Sequence, residues 1–550
     1  MHLHFASTPS RSNAAVRELA RLFRGQSPDW TISSSGFHSF LHLLPRLGLG
    51  SKYRACFFGD NFPIPRPNAL YQQICESSPD AIEIWSLLSY VESLRAGALG
   101  QSYAVTKSLI GTDMARDLAR SGNFREVDVG EESENIPPLG LVRAVRPDIT
   151  FVHALLGDEH GNLVCSQPSS EGFWGAIGAK VGVIATVERI GSTEELREFR
   201  DAMPIPRHQV LSISEEPRGA HPQPVYASPR FPVEGYEDDL AHYQVWRRLA
   251  TDDAFFKEFC SLVLDVPDGR VGYQNFCNWV ANLEGFKTSF ETKREFPKGA
   301  EILIILAARK IRERVREGGY QVIIAGIGNS FFAARLAKQW LDEEGVSIDV
   351  IVETGLVGIE CGQRGHPFLL SHQNMGRAER ISNAEHALGA LTCGADNVCL
   401  GVVGAGEVDQ LGNLNSTFLK TGKLLVGSGG ANDIASSAAE VIVLTRCTSA
   451  RLVDKVHYIT SSGARVRTVV TDICSFTRQT PQSGWFLDDV YPALGGNPIQ
   501  HALAHIKSQC SWPYETLDRM QFAAPVSTKE MRGFHTLDPT GEHWTRENSS

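Results

Sequence analysis

Short apolar runs alternate with stretches of helical periodicity along much of the chain. The clearest unit lies at residues 320–353. There "YQVIIAG" predicts a buried strand, "IGNS" a turn, "FFAARLAKQWLDEEG" an amphipathic helix and "SIDVIVE" the next strand. Ser330 is the expected N-cap of that helix and Gly345 its stop. Just upstream, "EILIILAARKIRERVREGG" has helical spacing and a basic final turn. Such alternation is the pattern of βαβ units and a largely parallel sheet.

The pattern also repeats at long range. Residues 148–164 read "DITFVHALLGDEHGNLV" and residues 396–414 read "DNVCLGVVGAGEVDQLGNL". Each is an apolar strand running into Asp-x-x-Gly-Asn-Leu, with Asp158, Gly161 and Asn162 answering to Asp409, Gly412 and Asn413. Asp and Gly-Asn suit a tight turn, so the turn alone would carry little weight. In both places, however, a small-residue helix and a further strand follow: "GAIGAKVGVIATVERI" at 175–190 and "GSGGANDIASSAAEVIVLT" at 427–445. Two related α/β halves are therefore expected, 1–292 and 298–550, joined near the charged "ETKREFPKGAE" at 291–301. The tail after about 480 reads as a C-terminal extension.

A length of 550 residues exceeds what one compact core serves. The formal net charge of −10 argues against a nucleic-acid partner. The N-terminus lacks the basic start and apolar stretch of a signal peptide, and no apolar run approaches a membrane span. The 11 cysteines include no CxxC pair and read as reduced and mostly buried, so a cytoplasmic protein is expected.

Candidate chemistry starts with Glu353, an acidic residue ending the apolar run "VIV" ahead of Thr354-Gly355. A buried charge is costly unless paired or used. Ligand crevices of open α/β sheets lie at the carboxyl ends of strands, where this residue is expected. A strand-end Glu paired with a base or facing solvent is the plainer alternative. "GSGGAN", Gly427 to Asn432, could offer backbone N–H groups to a phosphate or oxyanion, or could serve only close helix–sheet packing. "AGIGNS" lacks the third glycine of a dinucleotide fingerprint. His501 and His505 in "HALAH" lack the Glu of a zinc-protease helix. Cys361 and Cys474 are conceivable nucleophiles, although free cysteines are mostly inert. No metal site is expected.

Taken together, "VIVETGLVG", "VGAGEVDQLGNLNST", "GSGGANDIAS", "VHYITSSG" and "VVTD" resemble the β subunit of family I CoA-transferases, in particular the glutaconate CoA-transferase type. "LRAGALGQSYAVTKSLIGTDM" and "RPDITFVHALLGDEHGNLV" resemble the α subunit, so most of residues 30–475 is covered. The resemblance implies a natural fusion of α-like and β-like subunits with the CoA-transferase fold: two related open, mainly parallel α/β domains around a cleft. It makes Glu353 the catalytic glutamate, although Val-Glu-Thr-Gly departs from the family's neighbouring residues. Gly427, Gly429, Gly430 and Ala431 become the oxyanion and CoA-binding loop, with Gly404 and Gly406 ranked second and Asn432 and Asp433 ordering the loop. Arg95, Ser102, Thr106 and Lys107 are candidates for the acid-substrate pocket, as are Arg364 and His366.

The implied activity passes CoA from an acyl-CoA to a carboxylic acid through an acyl-glutamyl anhydride and a glutamyl-CoA thioester. Covalent catalysis of this kind conserves the thioester's energy. Coenzyme A is then a substrate and transient adduct, no cofactor is held tightly, and a homo-oligomer is possible. An acyl-CoA hydrolase, a C–C lyase or decarboxylase on the same scaffold, and a non-catalytic acyl-CoA sensor are the rival readings.

Overall fold

A computed structural model describes residues 1–7, 11–62, 64–128, 138–283, 299–361, 365–395, 397–491 and 499–538. The expected junction between halves, at 292–298, lies outside the described residues. Two eight-stranded sheets organise the chain.

The first sheet uses β1 (His2–Phe5), β2 (Trp30–Ser33), β3 (Gly50–Ala55), β4 (Ile82–Ile84), β5 (Ile149–Gly157), β6 (Gly182–Ile190) and β7 (Val210–Glu215). Their order is β7-β6-β5-β1-β2-β3-β4, all parallel, with the short Leu163–Val164 turning back antiparallel on β5. The second sheet uses β8 (Val322–Ala325), β9 (Asp349–Ile351), β10 (Cys399–Gly404), β11 (Glu440–Leu444), β12 (Val466–Val470), β13 (Cys474–Thr477), β14 (Trp485–Val490) and β15 (Tyr514–Phe522). Its order is β9-β8-β10-β11-β12-β13-β14-β15, parallel as far as β12. Five strands thus repeat one arrangement: β2-β1-β5-β6-β7 in the first sheet, β9-β8-β10-β11-β12 in the second. Both reverse direction of winding between their first and third members, the kind of switch point where α/β sheets bind ligands. The residues after 480 continue the second sheet through β14 and β15.

The repeated turn is alike in atomic detail. Asp158 Oδ1 accepts from the His160 and Asn162 amides at 3.0 and 2.9 Å; Asp409 Oδ1 accepts from those of Leu411 and Asn413 at 3.0 and 2.9 Å. The second oxygen of each takes the Asn side-chain amide, at 2.7 Å from Asn162 and 3.2 Å from Asn413. Gly161 and Gly412 have φ of +89° and +77°, a region that disfavours a Cβ.

Three local expectations change. Helix α4 runs Asn329–Glu343, and Gly328 rather than Ser330 holds its N-cap, with φ +86°. Strand β9 stops at Ile351, two residues before Glu353, because the chain turns at once: the Val352 amide donates to Leu356 O at 2.9 Å. "KLLVG" at 423–427 joins neither large sheet. Its amides at Leu425 and Val426 bond Thr417 O and Ser416 O, and Val426 O accepts from the Phe58 amide at 2.8 Å, so the segment crosses to the first half.

That crossing continues as a seam. The Gly429 amide donates to Cys56 O at 2.9 Å, and Gly429 O accepts from the Leu87 amide at 3.0 Å. Leu87 opens helix α1 (Leu87–Ala98). The Leu88 amide donates to Asp433 Oδ2, and the Leu109 amide to Asn432 Oδ1, both at 3.0 Å. Around these bonds one hydrophobic core runs through both halves, joining Trp85, Leu88 and Leu109 to Leu388, Ile434 and Ala435. Among the described residues no helix is long and apolar enough to cross a membrane.

Asp158 and Asp409 are buried acceptors of several bonds. Asp158→Ala and Asp409→Ala are each expected to cost about 1.5–3 kcal/mol, and the Asn variants less, because Asn keeps one acceptor oxygen. Urea unfolding of the four variants checks this.

Candidate active site

The carboxyl ends of β8, β10 and β11 open into a cleft of about 390 Å³ whose wall includes Glu353. Gly326 to Ser330, Val403 to Gly406 and Leu444 to Arg446 form its floor and sides. The loop Gly427–Ala431 forms another wall, and Phe57, Ile64 and Pro65 reach in from the first half. Arg446 and Arg451 also line this cleft.

Glu353 is fixed by its neighbours on both sides. Gly355 has φ +114°, and a Cβ there would stand 2.5 Å from the Asn383 amide nitrogen, so the residue after Thr354 must be small and left-handed. Across the cleft, the Gly430 amide donates to Glu353 Oε2 at 3.0 Å. A Cβ on Gly430 would fall 2.2 Å from that same oxygen. The glycine therefore lets a backbone donor approach the carboxylate where any side chain would displace it.

Burial pushes the Glu353 carboxyl up to about 7, and the neighbouring Asp433 carboxylate adds to the rise; the Gly430 amide opposes it. Asp433 sits in the first turn of α5 (Ala431–Ser437), fully buried. Burial raises it to about 6, against the hydrogen bond from Leu88 and those from Ser108 and Ser86. Two buried carboxyls thus share one neighbourhood, and the charge of Asp433 favours the neutral form of Glu353.

The structure brings Gly427, Gly429, Gly430 and Ala431 together with Glu353. Of their amides, three already donate within the protein: Gly427 to Ser416 O at 2.9 Å, Gly429 to Cys56 O at 2.9 Å and Ala431 to Ser428 O at 3.0 Å. Of the four, Gly430 alone aims at the carboxylate. Gly404 faces open cleft, while Gly406 O accepts from Arg451 Nη1 at 3.1 Å. Asn432 bridges the seam, its Oδ1 accepting from the Leu109 amide at 3.0 Å while its Nδ2 donates to Thr460 O at 2.8 Å on its own side.

A second cavity, about 120 Å³, lies on the other side of Glu353 and shares Phe57, Ile327 and Gly429 with the first. Its lining is apolar and aromatic, with Leu87, Tyr243, Leu356, Phe368, Leu370 and Met375. Ser35, Asn61, Gln223 and Asp238 supply polar atoms. Glu353, with Phe57, Ile327 and Gly429, thus lies where a glycine-walled cleft and a hydrophobic chamber meet.

Arg95, Ser102, Thr106 and Lys107, the candidates for the acid pocket, line neither of these two cavities. Arg95 pairs with Glu92 at 2.8 Å on its own helix, and Lys107 Nζ donates to Cys393 O at 3.1 Å. Thr106 Oγ1 accepts from the Ser108 amide at 3.0 Å, and exposed Ser102 bonds Ala144 through its carbonyl. His366 is held in a local turn, its Nδ1 accepting from the Phe368 amide at 3.1 Å; Arg364 lies outside the described residues. Burial pushes the Cys361 thiol up to about 11 and Cys474 well above its ordinary value, so neither is a thiolate near neutral pH. His501 and His505 are exposed on a helix. The chamber residues from 35–61, 223–243 and 368–375 escaped sequence reading, since no local motif links segments so far apart.

Comparison with known proteins follows the same outline. A family model described as coenzyme A transferase matches residues 4–209 and 378–492, more than half of the chain. Both subunits of the 3-oxoadipate CoA-transferase of Pseudomonas knackmussii are similar to this chain. One is 26% identical over 220 residues, covering 38% of this chain and 70% of that protein. The other is 25% identical over 218 residues, covering 35% of this chain and 78% of that protein. Among solved structures, the acyl-CoA transferase YdiF of Escherichia coli O157:H7, determined as a thioester complex with CoA, superposes with a TM-score of 0.64 at 14% identity. The match covers 95% of this chain and 92% of that one, and shows a shared fold.

Removing the neighbouring charge is expected to lower the Glu353 pKa below its value of about 7. Infrared titration of the carboxyl in Asp433→Asn, with the band assigned through Glu353→Gln, measures this. An unchanged value would mean that the two carboxyls do not interact.

Proposed function

Because this chain belongs to the coenzyme A transferase family, we propose that it moves CoA from an acyl-CoA to a carboxylic acid through covalent intermediates on Glu353. The observation that carries this reading is the position of Glu353 between the two cavities, with a backbone donor on its oxygen. The glycine-walled cleft takes CoA, with Arg446 and Arg451 near its phosphates, and the apolar chamber takes the acyl group. Similarity to both halves of a two-subunit enzyme supports a fusion of α-like and β-like parts.

A Glu353 oxygen attacks the thioester carbonyl, the C–S bond breaks, and an acyl-glutamyl anhydride and CoA thiolate result. The thiolate then attacks the glutamyl carbonyl, releasing the first acid and leaving glutamyl-CoA. An incoming carboxylate reverses both steps and departs as the new acyl-CoA. The Gly430 N–H, already on Oε2, is placed to follow the charge that develops on that oxygen; one such donor is worth about 2.7–4 kcal/mol. Burial serves the nucleophile as well, because a carboxylate stripped of water is more reactive once ionised.

The chamber also bears on the acids. Among the described residues its lining includes no Lys or Arg, and it does include Asp238. Arg11 is close by but does not line the chamber, and its Nη1 and Nη2 donate to His38 O, Gly36 O and Ser34 Oγ. A second carboxylate on the substrate would enter without a partner, which is costly. An apolar monocarboxylic acid fits this lining better than a dicarboxylate.

Intact-mass measurement after incubation with a panel of acyl-CoAs tests the mechanism. Wild type is expected to gain one CoA unit, and Glu353→Gln none; free CoA released without an acceptor or adduct would favour hydrolysis instead. Adduct formation needs ionised Glu353, so its rate is expected to rise about tenfold per pH unit well below 7 and to level above it. Among acceptors of equal chain length, apolar monocarboxylates are expected to exceed dicarboxylates in kcat/KM by at least about tenfold. A preference for dicarboxylates would refute the apolar assignment.

A further inference from the structure

Beside the chamber, three segments converge on a cluster that the transfer chemistry does not use. His221 lies in a loop, His242 on the helix Leu240–Thr251 and Cys277 on the helix Gly269–Asn282. One ligand atom from each lies within 4.8 Å of the others. Asp239, the N-cap of the second segment, joins them: its Oδ2 is 3.2 Å from His221 Nε2 and 2.9 Å from His242 Nδ1. The two imidazole rings meet edge to face at 4.7 Å.

We propose that His221, His242 and Cys277, with Asp239 as the fourth donor, form a zinc(II) site built into the wall of the acyl chamber. Two imidazoles, a thiolate and a carboxylate are a donor set suited to tetrahedral zinc. Both histidines are buried, and the His242 ring is approached by Asp239 and Cys277, the other two proposed donors. Cys277 approaches both His242 and Tyr273. With bonds of about 2.0–2.3 Å, ligand atoms around zinc stand roughly 3.3–3.8 Å apart. The histidine and cysteine atoms must close by up to about an ångström and Asp239 Oδ2 must draw back by a few tenths, within reach of small side-chain rotations. Cys277 is partly exposed and marks the route of entry. On binding, its thiol releases a proton to solvent, both imidazoles bind as neutral rings, and nothing is oxidised or reduced.

The placement gives the site a purpose. Tyr273 makes a hydrogen bond to His221 Nδ1, orienting that ring. Asp238 and Tyr243, each one residue from a proposed ligand, line the chamber, as does Gln223, two residues beyond His221. A metal here would tie a loop and two helices into one rigid wall.

The test loads the chelator-stripped full chain with cobalt(II). Wild type is expected to bind one equivalent, to show a thiolate-to-cobalt charge-transfer band with tetrahedral d–d absorption, and to lose both on adding zinc. Cys277→Ser is expected to lose the charge-transfer band, and His242→Gln to bind at least tenfold more weakly. Lack of any such spectrum in stripped wild type with unchanged circular dichroism would overturn the proposal. So would a band of full intensity in Cys277→Ser, which would place the metal on other cysteines. The wild-type result decides even where a variant fails to fold.

Discussion

The geometry of this molecule depends on the main-chain seam between residues 426–433 and the first half. Amides and carbonyls of Val426 and Gly429 pair with Phe58, Cys56 and Leu87, while the side chains of Asn432 and Asp433 take the amides of Leu109 and Leu88. Each such bond contributes a modest net amount, about 0.5–1.5 kcal/mol. The asymmetry matters more, because these groups are buried and a partner lost leaves an orphan in a dry interior. The seam permits few alternative positions of one half against the other. Gly430, held at its centre, delivers its amide to Glu353 as a consequence.

The same seam explains why Glu353 is protonated more readily than an ordinary carboxylate. Asp433 must be buried to hold the start of α1, and its charge then falls on Glu353. Docking the halves and weakening the acidity of Glu353 are two effects of one side chain. Gly430 partly compensates, since a donor on the charged oxygen favours ionisation.

Legibility in the sequence follows how local each feature is. The two-half α/β organisation was readable from alternating periodicity and from the repeated Asp-x-x-Gly-Asn turn, whose hydrogen bonds close within five residues. Glu353 and the Gly427–Ala431 loop were readable because each lies in a short run whose composition is odd for its surroundings. The chamber was not, for its walls come from segments hundreds of residues apart with unremarkable apolar composition. Arg95 and Lys107 show the converse: a cation in a recognisable segment says nothing about which way its helix or strand turns, and here they bond Glu92 and Cys393 O, away from both cavities. "KLLVG" looked like a strand because apolar content does not distinguish a sheet strand from a segment buried between halves.

The repeated strand order carries a consequence of its own. Counting two residues past β9 reaches Glu353; counting two past its topological counterpart β2 reaches Ser35, which lines the same chamber as the carboxylate. A doubled fold offers two equivalent posts at the strand ends, and here only one carries a carboxylate. Had both been carboxylates, mutual repulsion in a shared dry space would have kept at least one of them neutral. The two halves thus avoid a conflict that symmetry would have imposed, with a carboxylate at one post and a hydroxyl at the other.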